Sequence, residues 1–395
     1  MTDLVIRDVR PFGGDAVDVL VHDDLIAGIA AGLNAPPGAA IEHGHNALLL
    51  PGLVEGHTHL DKTLWGGSWY RNEIGPTRND RIENERAFRR DGSHDAATRS
   101  LALARAYIAH GTTRMRTHAD IDTEIGLRHV HATMRTRETL AGAIEMQIVA
   151  FPQSGLACRP GTEDLMDAAL REGADAVGGI DPCAVDRDPV RQVDALFRLA
   201  ERHGKPIDIH LHEPGEMGAF SLDLILERTA ALSMRGMVTI SHGFCLGSIA
   251  DAERDALLAR MALWDVRIAT TAPASSPVPP FRVCRAAGVT VYGGNDGVRD
   301  TWTPYAKPDM LDRAMHIGLR NALRRDDELD WALECVTSAA AVGCGFERYG
   351  LAVGCRADLV LLEAETVAEA IVSAPRRRLV VSAGKVTARD GVLLL

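Results

Sequence analysis

Short apolar runs alternate with longer amphipathic stretches through the middle of the chain. The apolar runs have the length of buried strands, and they lie at 49–54, 112–118, 144–151, 174–180, 206–212, 236–242, 266–271 and 289–294. The stretches between them favour helices, and they lie at 96–110, 125–141, 162–172, 189–203, 222–234, 249–263 and 280–287. Alternation of strands and helices predicts a parallel sheet of the α/β class. Eight such units predict a closed (β/α)8 TIM barrel.

The two ends of the chain have a different pattern, in which short predicted strands are separated by turn residues. Such runs lie at 3–9, 16–22, 25–30 and 48–50 near the start, and at 358–362, 378–382, 385–387 and 391–395 near the end. Each end alone is too short to form a stable domain. We therefore predict one small β-sandwich built from residues 1–48 and 350–395, beside a barrel of residues 49–349.

A polar segment at 65–90 interrupts the alternation. It is rich in Arg, Asn and Glu. Irregular loops of this length are often functional, so we predict a long loop over the mouth of the barrel.

The composition is that of an ordinary globular protein, and it narrows the choice of partners. Of 395 residues, 46% are hydrophobic and 25% are charged, and the formal net charge is −11. Phosphate backbones are bound by basic surfaces, so we expect no nucleic-acid partner.

The seven cysteines are scattered and form no C-x-x-C pair. This favours reduced thiols in a cytoplasm. We see no signal-peptide pattern, which favours the same location. We also see no apolar run long enough to cross a membrane, so we expect no membrane partner.

Polar and ionisable side chains follow nearly every predicted strand. In strand order they are His57 and His59, His118, Gln153, Asp181, the group His210, His212 and Glu213, then His242, and finally Asn295 with Asp296. In barrels of this kind the C-terminal ends of the strands form the active-site face. We therefore expect these side chains to converge on one site.

The spacing of His57 and His59 predicts a metal site. Side chains at positions i and i+2 of a strand point the same way, so both imidazoles aim at one point inside the barrel. Neutral imidazole suits zinc or ferrous iron. His210 and Asp296 are the candidates for a third nitrogen and a carboxylate, and such a set leaves room for a water molecule.

Several single residues keep two interpretations. His118 is either a packed or supporting histidine or a direct metal ligand. His212 shares a face with His210, so it either lines the pocket or exchanges roles with it. Trp65 and Trp302 each follow a strand end, and each is either a core aromatic or a wall of the pocket.

The motifs around these residues resemble a known family. They match the amidohydrolase superfamily over essentially the whole chain, and within it the cytosine deaminase-like branch, which includes triazine-degrading enzymes. The matching segments are 56–62 (GHTHLDK), 116–120 (RTHAD), 147–155 (QIVAFPQSG), 177–182 (VGGIDP), 210–213 (HLHE), 241–242 (SH), 296–304 (DGVRDTWTP) and 349–360.

The resemblance implies a fold, a cofactor and a set of roles. His57, His59, His210 and Asp296 would bind one divalent metal ion, zinc or iron. No lysine follows the fourth strand, so no bridging ligand for a second ion is implied. The predicted catalytic groups are Glu213 as the proton carrier, with His242 and Asp296 acting on the attacking water. The residues implied to border the substrate are Gln153 on the amide edge of the ring, then His118, His212, Gly297 and Trp302.

The implied reaction is hydrolytic removal of an amine from a ring carbon of a pyrimidine- or triazine-like heterocycle. Cytosine deaminases of the branch carry a second Asp after the metal-binding Asp, where this chain has Gly297. We expect this change to enlarge the pocket and to disfavour unsubstituted cytosine. Triazine-degrading members carry Asp where this chain has Glu213, which puts their substrate in question as well.

Two rival functions stay open on the sequence alone. A hydantoinase-like hydrolase of a cyclic amide or imide would ordinarily need two metal ions and a bridging lysine. A barrel that has lost catalysis would be a binding protein. In the preferred interpretation the partner is a small heterocyclic substrate, and the enzyme is expected to be a homo-oligomer.

Overall fold

Two eight-stranded sheets organise the chain in a computed structural model that describes residues 3–90 and 94–395. The strands are β1 (Asp3–Pro11), β2 (Val17–His22), β3 (Leu25–Ala30), β4 (Ala40–Pro51), β5 (Leu53–Thr58), β6 (Thr112–Asp120), β7 (Glu145–Phe151), β8 (Ala176–Ile180), β9 (Ile207–Leu211), β10 (Val238–His242), β11 (Arg267–Thr270), β12 (Val291–Gly293), β13 (Leu359–Leu362), β14 (Arg377–Ser382), β15 (Lys385–Arg389) and β16 (Val392–Leu393). The helices are α1 (Arg78–Arg90), α2 (Ala96–Ala109), α3 (Arg128–Thr139), α4 (Thr162–Arg171), α5 (Pro189–His203), α6 (Gly215–Ala231), α7 (Asp251–Leu263), α8 (Phe281–Ala286), α9 (Met310–Arg320), α10 (Asp326–Glu334), α11 (Ser338–Cys344) and α12 (Val367–Ser373).

The first sheet joins the two ends of the chain in the order β16-β15-β14-β13-β4-β1-β2-β3. Leu49 of β4 packs into the apolar cluster of this sheet, whereas Leu48 and Leu50 pack into the cluster of the barrel. Because both faces of β4 are buried here, its sequence reads as a continuous apolar run instead of an alternating one. The expectation of one small β-structure made from both ends is confirmed, and the domain limits at 48 and 350 stay a prediction.

The first barrel strand begins later than the apolar pattern suggested. The apolar run 49–54 predicts a single barrel strand, but its first part ends β4, and β5 begins at Leu53. The chain passes from one sheet to the other through Gly52, where a Cβ atom would lie 2.1 Å from Thr113 Oγ1. One uninterrupted apolar run therefore serves two strands in two sheets.

The second sheet is the (β/α)8 barrel, with parallel strands in the order β5 to β12. It closes where Thr58 bridges to Asp296 in parallel register, and the Asp296 N–H donates to the His57 carbonyl at 2.8 Å. A Cβ atom on Gly294 would lie 2.5 Å from the backbone nitrogen and oxygen of His57. Glycine at 294 thus allows the seam to close beside the first histidine of the predicted metal site.

The predicted loop over the mouth contains a helix, α1, so that prediction was wrong for residues 78–90. The buried side chains of α1 are Ile82, Glu85, Arg86 and Arg89. Their spacing is helical, but three of the four are charged and meet charged partners on the barrel. A search for apolar periodicity does not detect a helix whose buried face is ionic.

Helices α9 to α12 were also not predicted. α9 has buried residues at Leu311, Ala314 and Ile317, which pack into the barrel cluster. Among the described residues, no helix combines the length and hydropathy that a membrane crossing requires.

Candidate metal centre and active site

Five histidines from four barrel strands converge at the mouth of the barrel. They are His57, His59, His118, His210 and His242, and none is more than 2% exposed. The ring centroid of His57 lies 4.4 Å from that of His118, 4.6 Å from that of His210 and 5.2 Å from that of His242. The C-terminal strand ends therefore gather the side chains that the sequence placed there.

The predicted metal ligands lie within coordinating reach of one another. His59 Nε2 is 3.2 Å from Asp296 Oδ1 and 3.2 Å from His210 Nε2, and His57 Nε2 is 3.7 Å from Asp296 Oδ1. Among the described residues, two groups of donor atoms that lie within 4.8 Å of one another each include three of the predicted ligands: His57, His59, His118 and His210, and His57, His210, His242 and Asp296. A third group consists of His59, Asp61 and Asp120. His118 and His242 are thus also close enough to compete for a place in the ligand set.

The state of these donor atoms fits a divalent metal ion. His57 Nε2 is buried without a hydrogen-bond partner, and a buried lone pair left unpaired is costly. The Asp296 side chain is 37% exposed, so its carboxylate faces the pocket. Imidazole nitrogens and a carboxylate are ligands that suit zinc or iron.

Burial keeps the imidazoles of His59, His210 and His242 neutral. It lowers the pKa of His59 to about 3 and the pKa values of His210 and His242 well below the usual range. Burial opposes the ionisation of Asp296, but the neighbouring imidazoles of His57 and His59 hold the pKa of its carboxyl well below the ordinary value. Neutral imidazole and ionised carboxylate are the forms that bind a metal.

His212 forms a wall of the site instead of joining the donor groups. Its ring stacks on that of His242 with centroids 4.2 Å apart. Asp181 accepts from the His212 backbone N–H at 2.7 Å, and its other oxygen lies 2.9 Å from His212 Nδ1. Of the two histidines on β9 and just after it, only His210 belongs to the donor groups, so the geometry favours His210 as the ligand.

Glu213 is buried and held by three protein donors. The backbone N–H groups of Cys183 and Ala184 donate to Oε1 at 2.8 and 2.7 Å, and the Ser221 hydroxyl donates to Oε2. Burial raises the pKa of the Glu213 carboxyl, against these hydrogen bonds. A carboxyl with a raised pKa suits proton transfer, and the catalytic role of Glu213 stays a prediction.

Lys62 is a site residue that our sequence reasoning missed. Its Nζ donates to Gln153 Oε1 at 2.6 Å and lies 5.5 Å from the centre of the Trp302 ring. It therefore lies between two residues predicted to border the substrate. The signal in the sequence was its place in the GHTHLDK segment beside a buried strand, since a lysine is almost never fully buried unless it is paired.

The space beside Gly297 is filled by Asp300. A Cβ atom on Gly297 would lie 1.9 Å from Asp300 Oδ2, so the absence of a side chain at 297 does not leave the open volume that we expected. Asp300 is buried, and burial raises the pKa of its carboxyl to about 7, with Lys62 acting in the opposite direction. The Asp300 carboxyl thus lies in the part of the site next to Gly297, although it belongs to a residue three positions later in the chain.

Helix α1 covers the mouth through ion pairs. Arg89 pairs with Asp120, and Arg78 Nη1 lies 3.1 Å from Asp181 Oδ2. Trp302 Nε1 donates to Glu85 Oε2 at 3.0 Å. Trp302 therefore lies between Glu85 of α1 and Lys62, and its role as a wall of the substrate pocket stays a prediction. Trp65 packs against the barrel core.

Comparison with known proteins places this geometry among metal-dependent hydrolases. A family model described as "Amidohydrolase family" matches residues 45–388. The N-isopropylammelide isopropyl amidohydrolase of Pseudomonas sp. (strain ADP) is 30% identical over 404 residues, covering 99% of this chain and 98% of that protein.

Solved structures agree with the family match. A crystal structure of N-isopropylammelide isopropylaminohydrolase from Burkholderia multivorans superposes with a TM-score of 0.98 at 63% identity, covering 100% of both chains. The 5-methylcytosine deaminase of Klebsiella pneumoniae, with bound 5-fluorocytosine, gives a TM-score of 0.86 at 27% identity over 99% of this chain and 98% of that one. These relatives give no support to the cyclic-amide alternative or to an inactive barrel.

Proposed function

This chain belongs to the amidohydrolase family, and we propose that it hydrolyses the bond between a ring carbon of an oxo-triazine and its exocyclic alkylamine. It is a hydrolase of the carbon–nitrogen bond between a pyrimidine- or triazine-like ring and its exocyclic amine. In the proposed reaction, water adds to the ring carbon and the carbon–nitrogen bond breaks. The products are the oxo ring and a free alkylamine, isopropylamine when the substrate is N-isopropylammelide.

The main observation in favour of an oxo-triazine ring is the hydrogen bond between Lys62 and Gln153. Because Gln153 Oε1 accepts from Lys62 Nζ at 2.6 Å, the side-chain amide of Gln153 is left to act as a donor. The ammonium group and the amide nitrogen together match a ring edge that carries acceptor atoms. An oxo-triazine has such an edge, and the 63% identity to the Burkholderia protein supports the same choice.

The proposed ligands of a single divalent ion, zinc or iron, are His57, His59, His210 and Asp296. When bound, the ion would activate water and act as a Lewis acid. Asp296 Oδ2 and His242 Nε2, which are 3.9 Å apart, would accept and orient the proton of the attacking water. Glu213 would deliver a proton to the ring nitrogen and then to the leaving amine.

The experiment is an amine-release assay on the metal-loaded protein. N-isopropylammelide, its unalkylated parent ammelide, cytosine and 5-methylcytosine would be compared by kcat/KM. We expect the alkylated triazine to give the highest value. No release from either triazine, with turnover of a cytosine, would overturn the proposal in favour of the second candidate below.

Deamination of a cytosine is the second candidate, and Asp300 is the observation that favours it. The carboxyl of Asp300 fills the space beside Gly297, where cytosine deaminases of the branch carry a carboxylate. In the same assay this candidate requires ammonia release from 5-methylcytosine or cytosine to exceed isopropylamine release.

A variant at Lys62 tests whether this side chain binds the acceptor edge of the ring. Replacing Lys62 with Met removes the donor and leaves Gln153 free to rotate, so kcat/KM for the oxo-triazine should fall about 100-fold or more, since a buried polar contact discriminates strongly. The matched control is Lys307→Met, because Lys307 is 75% exposed. Unchanged kcat/KM in K62M would contradict this reading.

The assembly and location of the enzyme remain part of the proposal. We propose a cytoplasmic homo-oligomer, as the sequence suggested. Light scattering on the eluting peak of a size-exclusion column measures the mass, and a mass of a single chain would contradict the oligomer.

A further inference from the structure

A buried chain of polar groups lies beneath the histidines and ends on one of them. Asp208 on β9 and Ser241 on β10 both have no exposed side-chain surface. The Ser241 hydroxyl donates to Asp208 Oδ1 at 2.6 Å, and its oxygen lies 2.9 Å from His57 Nδ1. On the other side, Arg116 Nη1 lies 3.4 Å from Asp208 Oδ2. The chain thus runs from a guanidinium through a carboxylate and a hydroxyl to an imidazole.

The direction of these hydrogen bonds decides which nitrogen of His57 carries the proton. A serine hydroxyl has one proton to donate, and here it goes to Asp208. The Ser241 oxygen can then only accept from His57, so Nδ1 must carry the hydrogen. The lone pair of His57 is left on Nε2, the atom that is buried without a partner and faces Asp296.

His57 differs in this respect from the other two proposed histidine ligands. Within the described residues, His59 Nδ1 and His210 Nδ1 have no hydrogen-bond partner, and the nearest carboxylate oxygen to His59 Nδ1, on Asp120, is 3.9 Å away. Among the three proposed histidine ligands, the polar chain therefore acts on His57 alone, and Asp208 Oδ1 also lies 3.5 Å from Nε2 of His118, which is not one of the proposed ligands. The strand register brings it there, because Ser241 is paired with His210 across β9 and β10.

We propose that Ser241 is a positioning residue that relays Asp208 to His57 and so fixes the tautomer that presents Nε2 to a metal ion. This rests on the metal site of the proposed function, since His57 must be a ligand. Groups that hold the far nitrogen of a ligating imidazole commonly raise metal affinity about 10- to 100-fold. Ser241 is not among the clustered donor residues, so its proposed effect on the metal ion runs through His57.

The experiment measures zinc affinity in the absence of substrate, by competition with a chromophoric chelator. S241A should bind zinc about 10- to 100-fold more weakly than the unmodified protein, and S241T, which keeps the hydroxyl, should restore most of the affinity. The matched control is S100A, because Ser100 on α2 is also buried and hydrogen-bonded, to Thr136 on α3. S241A that folds and binds zinc as tightly as S100A would overturn the proposal.

A second measurement does not depend on the variants folding well. Long-range proton–nitrogen spectra of the 15N-histidine-labelled, metal-free protein report which imidazole nitrogen is protonated. We expect His57 to be in the Nδ1–H form and to lose that preference in S241A. An Nε2–H form in the unmodified protein would contradict the relay, whereas failure of the unmodified protein to bind zinc at all would contradict the proposed metal site.

Discussion

Glu213 is the side chain on which proton transfer to the leaving amine depends. Glu213→Gln keeps the shape and the hydrogen-bond acceptor of the side chain but cannot release a proton, so kcat should fall about 100-fold or more. Metal content should stay unchanged, because Glu213 is not among the clustered donor atoms. The control is E216Q, on the exposed start of α6. Full activity in E213Q would mean that another group carries the proton.

Asp300 should make the stability of the protein depend on pH. Its folded-state pKa of about 7 is above the value of about 4 for an unfolded chain. The folded state therefore binds the proton more tightly, and the stabilisation is present below pH about 4 and is lost as the pH rises through about 7.

Asn at position 300 mimics the protonated carboxyl and does not titrate. Relative to D300N, the free energy of unfolding of the metal-loaded protein should fall by roughly 2–4 kcal/mol between pH 4 and pH 8. Urea unfolding at a series of pH values measures this difference. Parallel curves for the two proteins would contradict the raised pKa.

The site residues differ in how far the sequence could locate them. His57 and His59 share a strand, so the two-residue period alone places both imidazoles on one face. The contacts of Lys62 with Gln153 and of His57 with Ser241 join residues 91 and 184 positions apart. Such partners depend on the closed barrel, and no local pattern contains them. The space at Gly297 was misjudged for the same reason, because Asp300 turns back into it.

At the scale of elements, the seam between β5 and the segment after β12 holds His57 and Asp296 together. Gly294→Ala would place a Cβ atom 2.5 Å from the His57 backbone, and overpacking of this kind costs about 1–3 kcal/mol. We expect thermal stability and zinc affinity to fall together, because the shift separates two proposed ligands.

The matched control for the seam is a glycine with room for a methyl group. At Gly318 in α9 the nearest atom to an added Cβ is 3.7 Å away, so G318A should be neutral or slightly stabilising. Thermal unfolding and zinc competition on both variants test the difference. Equal behaviour of G294A and G318A would contradict the role of the seam.

The elements that the sequence predicted best are those that bury an apolar face against the barrel. The strands of the barrel and helices α2 to α8 follow the apolar pattern. Helix α1 does not, because Arg86 and Arg89 bury charge against the acidic strand ends of the mouth. The boundary between β4 and β5 was missed because Leu48 and Leu50 face the barrel while Leu49 faces the other sheet.

At the scale of the whole molecule, the fold brings polar ends of parallel strands to one mouth and covers them with α1. Alternation of strands and helices was enough to predict the barrel and the place of its site. The ring that binds there is decided by single contacts such as that of Lys62 with Gln153, which the fold class does not specify. The metal centre depends on both, because the fold brings its ligands together and single contacts position them.

Metal content and amine release, measured on the same samples of unmodified protein and His57→Ala, test directly whether the reaction depends on a metal ion held by His57. A single-metal site predicts close to one zinc or iron ion per chain in the unmodified protein, with isopropylamine released from N-isopropylammelide, and loss of both in H57A. A metal content near two would favour a dinuclear site. Amine release by metal-free H57A would contradict a metal-dependent reaction.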